Sequence, residues 1–157
     1  MKSLLFLSLL ALSCSSPKKP AKHAALKDGR DDYQEKTLTD AELTRIVKQA
    51  ADANKRVLLM FGGDWCSWCH ALHKTFDEDP GVKAALDKFV LVTVDIDSND
   101  ALDQKLGKPS KHGFPVLVVL GKDGKKLHVQ ETGSLEKKGA TAHDPAKVIA
   151  FLTQWSG

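Results

Sequence analysis

Five consecutive apolar residues, Val57-Leu58-Leu59-Met60-Phe61, constrain this chain more than any other stretch. Alternate side chains of a strand point to opposite faces, so a run with no polar position belongs to a strand covered on both sides. Such a strand needs helices above and below its sheet, and the sequence supplies them. Thr39-Asp40-Ala41-Glu42 reads as a capping box, and Leu43, Ile46, Val47 and Ala50 mark one face of a helix ending near Asn54. A second helix opens at Cys66, with Cys69, Leu72 and Phe76 on one face. Asp79-Pro80 supplies the cap and first helical position of a short helix to Leu86. Phe89 to Ile96 is a second strand, and Asn99 or Asp100 caps a helix that stops at Gly107. Pro115 to Leu120 is a third strand, and Asp123-Gly124 turns the chain into a fourth, Lys126 to Gln130. Asp144-Pro145 opens a last helix carrying Val148, Ile149, Leu152 and Trp155. The expected class is α/β: a central mixed sheet flanked by helices, with parallel strands first and a closing hairpin. The stretch from Thr132 to His143 holds Glu136-Lys137-Lys138-Gly139 and no apolar cluster, so it reads as a solvated surface loop.

The N-terminus reads differently. Met1-Lys2 is a short basic start, and Ser3 to Leu12 is a Leu-rich apolar run. That run is too short to span a membrane and suits a secretory signal, which assigns residues 1–13 to a signal peptide. Cys14 stands where cleavage is expected, and "LALSC" resembles a bacterial lipobox, whose Cys is acylated. Ala11 and the bulky Leu12 depart from the usual lipobox, and Ala11-Leu12-Ser13 also suits ordinary signal peptidase. Acylation accounts for an otherwise odd Cys in an exported chain. Acyl chains would hold the protein at a membrane, each buried methylene adding about 0.8 kcal/mol. Residues 14–36 carry Pro17, Pro20 and several Lys, and little there looks buriable, so they read as a flexible tether to a domain at 37–157. The 157 residues suffice for one domain with its own core. Its 23 basic and 20 acidic residues nearly balance, and the basic ones are scattered apart from Lys18, Lys19 and Lys22. Nucleic-acid binding, which gathers basic residues on one face, is not expected.

Trp65-Cys66-Ser67-Trp68-Cys69-His70 satisfies three chemical patterns. The first is a redox pair. The apolar strand ends at Phe61, Gly62-Gly63 lets the chain turn, and Cys66 falls at a helix N-terminus. Unpaired amides and the helix dipole stabilise a thiolate there, and the thiolate is the reactive species. Cys66 is then the attacking nucleophile and Cys69, one turn in, the resolving thiol. The second pattern is Cys-x-x-Cys-His, a c-type haem attachment site. Haem iron in such proteins takes a second ligand, often Met, and after signal removal only Met60 remains, inside an expected core strand. The third is a metal site from Cys66, Cys69, His70 and His73, spaced i, i+3, i+4 and i+7. Four ligands on one short helix do not readily surround a zinc ion, though two or three suit weak copper binding. His70 and His73 otherwise read as a solvated helix face, with protonated His70 favouring the Cys66 thiolate.

From about 39 to 156 the chain resembles a thioredoxin-fold domain. The likeness is greatest to the periplasmic thioredoxin-like group that includes the C-terminal domain of DsbD-type thiol:disulfide interchange proteins. The residues that carry it are Val57 to Phe61, Asp64-Trp65-Cys66-Ser67-Trp68-Cys69, Thr75-Phe76, Val94-Asp95-Ile96-Asp97 and Gly113-Phe114-Pro115. The resemblance implies a cis Pro115 facing the two cysteines. It also implies departures. The buried Asp that assists proton transfer in thioredoxin aligns with Met60, and its partner Lys aligns near Thr93. Asp64 is the nearest carboxylate that can substitute. Ser67-Trp68 replaces Gly-Pro between the cysteines, and Trp68 is suited to meeting a partner surface.

These readings combine into an exported, lipid-anchored thiol:disulfide oxidoreductase. It acts on protein thiols and disulfides, with a membrane electron donor and no cofactor beyond the cysteine pair. Phe114 before Pro115, as in thioredoxin-like reductases, favours the reducing direction. The alternative is a non-enzymatic copper- or thiol-binding module in cytochrome or metal-centre assembly.

Overall fold

Strand β1 (Arg56–Gly62) lies inside a four-stranded sheet, in a computed structural model that describes Tyr33 and residues 35–157. The other strands are β2 (Phe89–Asp95), β3 (Val116–Leu120) and β4 (Lys126–Glu131), in the order β2-β1-β3-β4. β1 runs parallel to β2 and antiparallel to β3, and β3 and β4 form the closing hairpin. The mixed sheet is therefore the expected one. The signal peptide, Cys14 and all of the expected tether but Tyr33, Glu35 and Lys36 lie outside the described residues.

The continuous apolar run of β1 has the expected cause. Leu58 and Met60 enter one core cluster, and Val57, Leu59 and Phe61 enter another on the opposite face. Helices α2 (Ser67–Glu78), α3 (Pro80–Leu86) and α5 (Pro145–Trp155) cover the first face through Leu72, Phe76, Val82, Val148 and Leu152. Helices α1 (Asp40–Asp52) and α4 (Asp100–Lys105) cover the second through Ile46, Val47, Ala50 and Leu102. The capping box of α1 forms as read, with Thr39 accepting from the Glu42 amide and Glu42 accepting from the Thr39 amide. Asp79 and Asp144 cap α3 and α5, each followed by Pro.

Three readings change. Tyr33 was placed in the tether, yet it is buried in the first core cluster. The stretch from Thr132 to His143 is not a loose solvated loop. It holds a short 3-10 turn over Gly133–Leu135 and a bridge between Glu136 and His143, and Thr132, Leu135 and His143 are buried. Its many charges point outward, which is why composition suggested solvent.

Asn99 stands at the N-cap of α4 but does not cap it with its side chain. Its Oδ1 accepts from the Leu38 amide at 2.7 Å, and its Nδ2 donates to the carbonyls of Lys36 at 2.9 Å and Asp95 at 2.8 Å. A single buried amide thus fastens the segment before α1 to the end of β2. Asn99→Ala removes all three bonds and leaves enclosed groups unpaired. It is expected to lower the unfolding free energy by about 2–3 kcal/mol in urea titrations. An unchanged midpoint would show that the segment is held elsewhere.

Candidate active site

Three residues, Gly63 to Trp65, separate the end of β1 from Cys66, so the cysteines stand at the C-terminal end of an interior strand. Cys66 is the N-cap of α2, and its sulfur accepts from the Cys69 amide at 3.2 Å. The two sulfurs form a disulfide, with the Cα atoms 5.2 Å apart. Cys66 keeps 5% of its surface exposed and Cys69 none, so a partner meets Cys66. Ser67, the first residue of α2, is exposed.

Gly62 and Gly63 prove necessary for space, since neither has a positive φ. A Cβ on Gly62 would lie 2.4 Å from Cys69 Sγ and 2.6 Å from the Tyr33 hydroxyl oxygen. A Cβ on Gly63 would lie 2.5 Å from the Trp65 indole nitrogen. Trp65 is 59% exposed yet fixed at both edges. Its Nε1 donates to Asp97 at 3.0 Å, and its ring meets Phe114 edge-on at 5.4 Å between centroids.

Phe114 belongs to the loop that ends in the cis Phe114–Pro115 bond, the isomer that the resemblance implied. Two side chains hold this loop. Thr132, inside the stretch read as solvated, donates its hydroxyl to the Pro115 carbonyl at 2.6 Å. Asp103, buried on α4, accepts from the Ser110 amide at 2.9 Å and from its hydroxyl at 2.6 Å.

The remaining candidates separate. Asp64 is exposed and lines a cavity of about 300 Å³ with Tyr33, Glu35, Trp65, Asp95, Asp97 and Ser98. Met60, in place of thioredoxin's buried Asp, is sealed in the core opposite Thr93. His70 is exposed, and its Nε2 lies 2.8 Å from the Asp64 carbonyl oxygen, to which it must donate because a carbonyl only accepts. His73 is not on a solvated face. It is fully buried, with its ring edge-on to Tyr33 and to Phe76. Its spacing announced this, since it lies four residues after Cys69 and three before Phe76 on the inward face. The four donors of the metal pattern are thus divided between a disulfide, a loop carbonyl and the core.

Comparison with known proteins places this geometry. A family model described as thioredoxin-like matches residues 38–122. The chain belongs to the thioredoxin-like family. Thiol:disulfide interchange protein DsbD 2 of Pseudomonas aeruginosa is 30% identical over 105 residues, 66% of this chain and 18% of that protein. The DsbD protein of Vibrio vulnificus is 40% identical over 65 residues, 41% of this chain and 11% of that protein. The chain therefore spans less than a fifth of the length of these curated relatives. Among solved structures, a disulphide isomerase from Xylella fastidiosa Temecula1 superposes with a TM-score of 0.61 at 24% identity, covering 74% of this chain and 90% of that one. The DsbD C-terminal domain of Neisseria meningitidis gives 0.51 at 21% identity, covering 73% and 90%. These likenesses establish the thioredoxin fold.

Two residues that drew no functional reading pack against the Cys66–Cys69 segment. Tyr33, the chain's single tyrosine, borders Cys69. A lone aromatic in a Lys-rich stretch was the available signal. His143 is buried with its ring edge-on to the half-buried Trp68 at 5.5 Å. Burial lowers its pKa from 6.5 to about 4, so the fold favours the neutral ring. That stabilisation is whole above about pH 6.5 and is lost as the pH falls through about 4, because the unfolded chain takes up the proton first. The protein is expected to lose about 2–3 kcal/mol more than His143→Gln across this window, measured by urea unfolding at each pH. Only the imidazole distinguishes the two proteins, so the difference isolates His143. Parallel stability curves would mean that His143 is solvated when charged.

Proposed function

We propose that the domain is a thiol:disulfide oxidoreductase that exchanges electrons with protein disulfides and thiols outside the cytoplasm, and that it works as a reductase. One observation carries this reading: Cys66 and Cys69 are bonded at the start of α2, with Cys69 sealed behind Cys66. Family membership and relatives named thiol:disulfide interchange proteins support it.

In the reduced domain, the Cys69 amide and the α2 dipole favour a thiolate at Cys66. That thiolate attacks one sulfur of a partner disulfide. A Cys66–partner bond forms, and the other partner sulfur leaves as a thiolate. Cys69 loses its proton and attacks Cys66 Sγ. The mixed disulfide breaks, the second partner thiolate departs, and both partner thiolates take up protons. Two electrons have passed to the partner, and the domain holds the disulfide seen here. The chemistry calls for no cofactor beyond this pair.

Phe114, packed on Trp65 beside the cis Pro115, supports the reducing direction. The exposed Trp65 and half-buried Trp68 give a partner chain an apolar surface on either side of Cys66. A reductase must be recharged, which calls for an electron donor in the membrane. The signal-like N-terminus supports export, and a lipid on Cys14 would keep the domain beside that donor.

The test is trapping. Cys69→Ser, incubated with a disulfide-bonded protein such as insulin, is expected to accumulate a mixed disulfide through Cys66. Cys66→Ser is expected to form none and to lose insulin reduction altogether. Adducts through Cys69, or turnover that survives Cys66→Ser, would contradict the assignment.

A further inference from the structure

Tyr33 is 3% exposed and packs in the cluster that holds Cys66, Cys69, Leu72 and Phe76. Its hydroxyl oxygen and Cys69 Sγ lie 2.6 Å and 2.4 Å from the point where a Gly62 Cβ would stand. Oxygen and sulfur therefore lie within about 5 Å of each other, beside the space that the missing side chain leaves. The hydroxyl has no hydrogen-bond partner among the described residues. A buried hydroxyl without a partner costs free energy, and folding has nonetheless put one beside the resolving sulfur. The titratable groups around it among the described residues are Asp64 ahead of α2, Asp95 at the end of β2, Asp97 just beyond it, His73 on α2 and Glu35 on its own segment.

In the disulfide, Cys69 Sγ is neutral and a weak acceptor. In the mixed disulfide, this fully buried sulfur must become a thiolate before it can attack. A buried anion requires a donor. We propose that the Tyr33 hydroxyl is that donor, so that Cys69 can shed its proton inside the core and resolve the mixed disulfide. This rests on the reading of Cys66 and Cys69 as an exchanging pair.

The chemistry balances. The Cys69 S–H bond breaks and its proton passes to solvent. The thiolate, held by Tyr33 O–H, attacks Cys66 Sγ, and the Cys66–partner bond breaks. The partner sulfur carries away the electron pair and takes up a proton from solvent. Tyr33 is neither oxidised nor reduced. Burial, reinforced by Asp64 and Asp95, pushes the phenol's pKa above its ordinary value, so it keeps its proton throughout. It acts as a donor and not as a base. The same bond favours the reduced protein over the disulfide form, in which the hydroxyl has no partner among the described residues.

Tyr33→Phe keeps the ring and deletes the donor. In the full chain, the variant is expected to shift the equilibrium with dithiothreitol about tenfold towards the disulfide, a potential about 30 mV more negative. In a Cys66→Ser background, Tyr33→Phe is expected to raise the Cys69 pKa, read from the pH dependence of alkylation by iodoacetamide. A purely structural Tyr33 would leave that pKa in place. If Tyr33→Phe fails to fold, fluorotyrosine can be incorporated, because Tyr33 is the only tyrosine. Its more acidic phenol is a stronger donor and is expected to lower the Cys69 pKa. Unchanged pKa and unchanged equilibrium would overturn the proposal. Should the unmodified pair fail to exchange with dithiothreitol, the oxidoreductase reading itself fails, which separates the two outcomes.

Discussion

The hydrogen bond from the Cys69 amide to the Cys66 sulfur is the point on which the other features converge. It exists because Cys66 is the residue at which α2 begins, where the Cys69 amide has no carbonyl a full turn back and is shared between the Cys66 carbonyl, at 3.0 Å, and the Cys66 sulfur. The helix begins there because β1, enclosed on both faces, ends at Gly62 and the chain leaves the sheet at the end of that strand. The inward face of α2 then carries Cys69 into the core with Leu72, His73 and Phe76. One sulfur reaches the boundary with solvent and the other does not, and the proposed division between attack and resolution rests on this asymmetry.

Residues remote in sequence close the site. Asn99 fastens the chain before α1 to the end of β2, and a few residues earlier Tyr33 reaches the far side of Gly62. Thr132 and Asp103 secure the loop that presents Phe114 and Pro115. Phe114 and Asp97 in turn hold Trp65 beside Cys66. With Met60 in the place of thioredoxin's buried Asp, the core beneath the pair is apolar on the β1 side. A polar group beside the proposed resolving sulfur comes instead from the segment ahead of the first helix.

How far the sequence could be read depended on periodicity. The alternation of Leu58 and Met60 with Val57, Leu59 and Phe61 declared a doubly covered strand, and both faces are covered. The caps at Thr39, Asp79 and Asp144 were legible because a cap is a local interaction. Cys66 and Cys69 were legible for the same reason, since strand, turn and helix are contiguous. Tyr33 was not, because a single aromatic among polar residues has no period to show what it packs against. Asn99 was read as a local cap and serves a long-range one, which spacing cannot reveal. The buried Thr132 and His143 were hidden by charged neighbours that point outward. His73 was misread although its spacing placed it on the inward face, because a histidine near cysteines suggested metal or solvent before core.

The most direct test of the account is the redox titration of the Cys66–Cys69 pair, equilibrated in dithiothreitol and glutathione buffers and read by thiol alkylation. The account expects one two-electron transition near about −270 mV, the range of thioredoxin. A midpoint near about −120 mV would reverse the direction and make the domain an oxidant. A pair that never interconverts in any buffer would contradict the account as a whole.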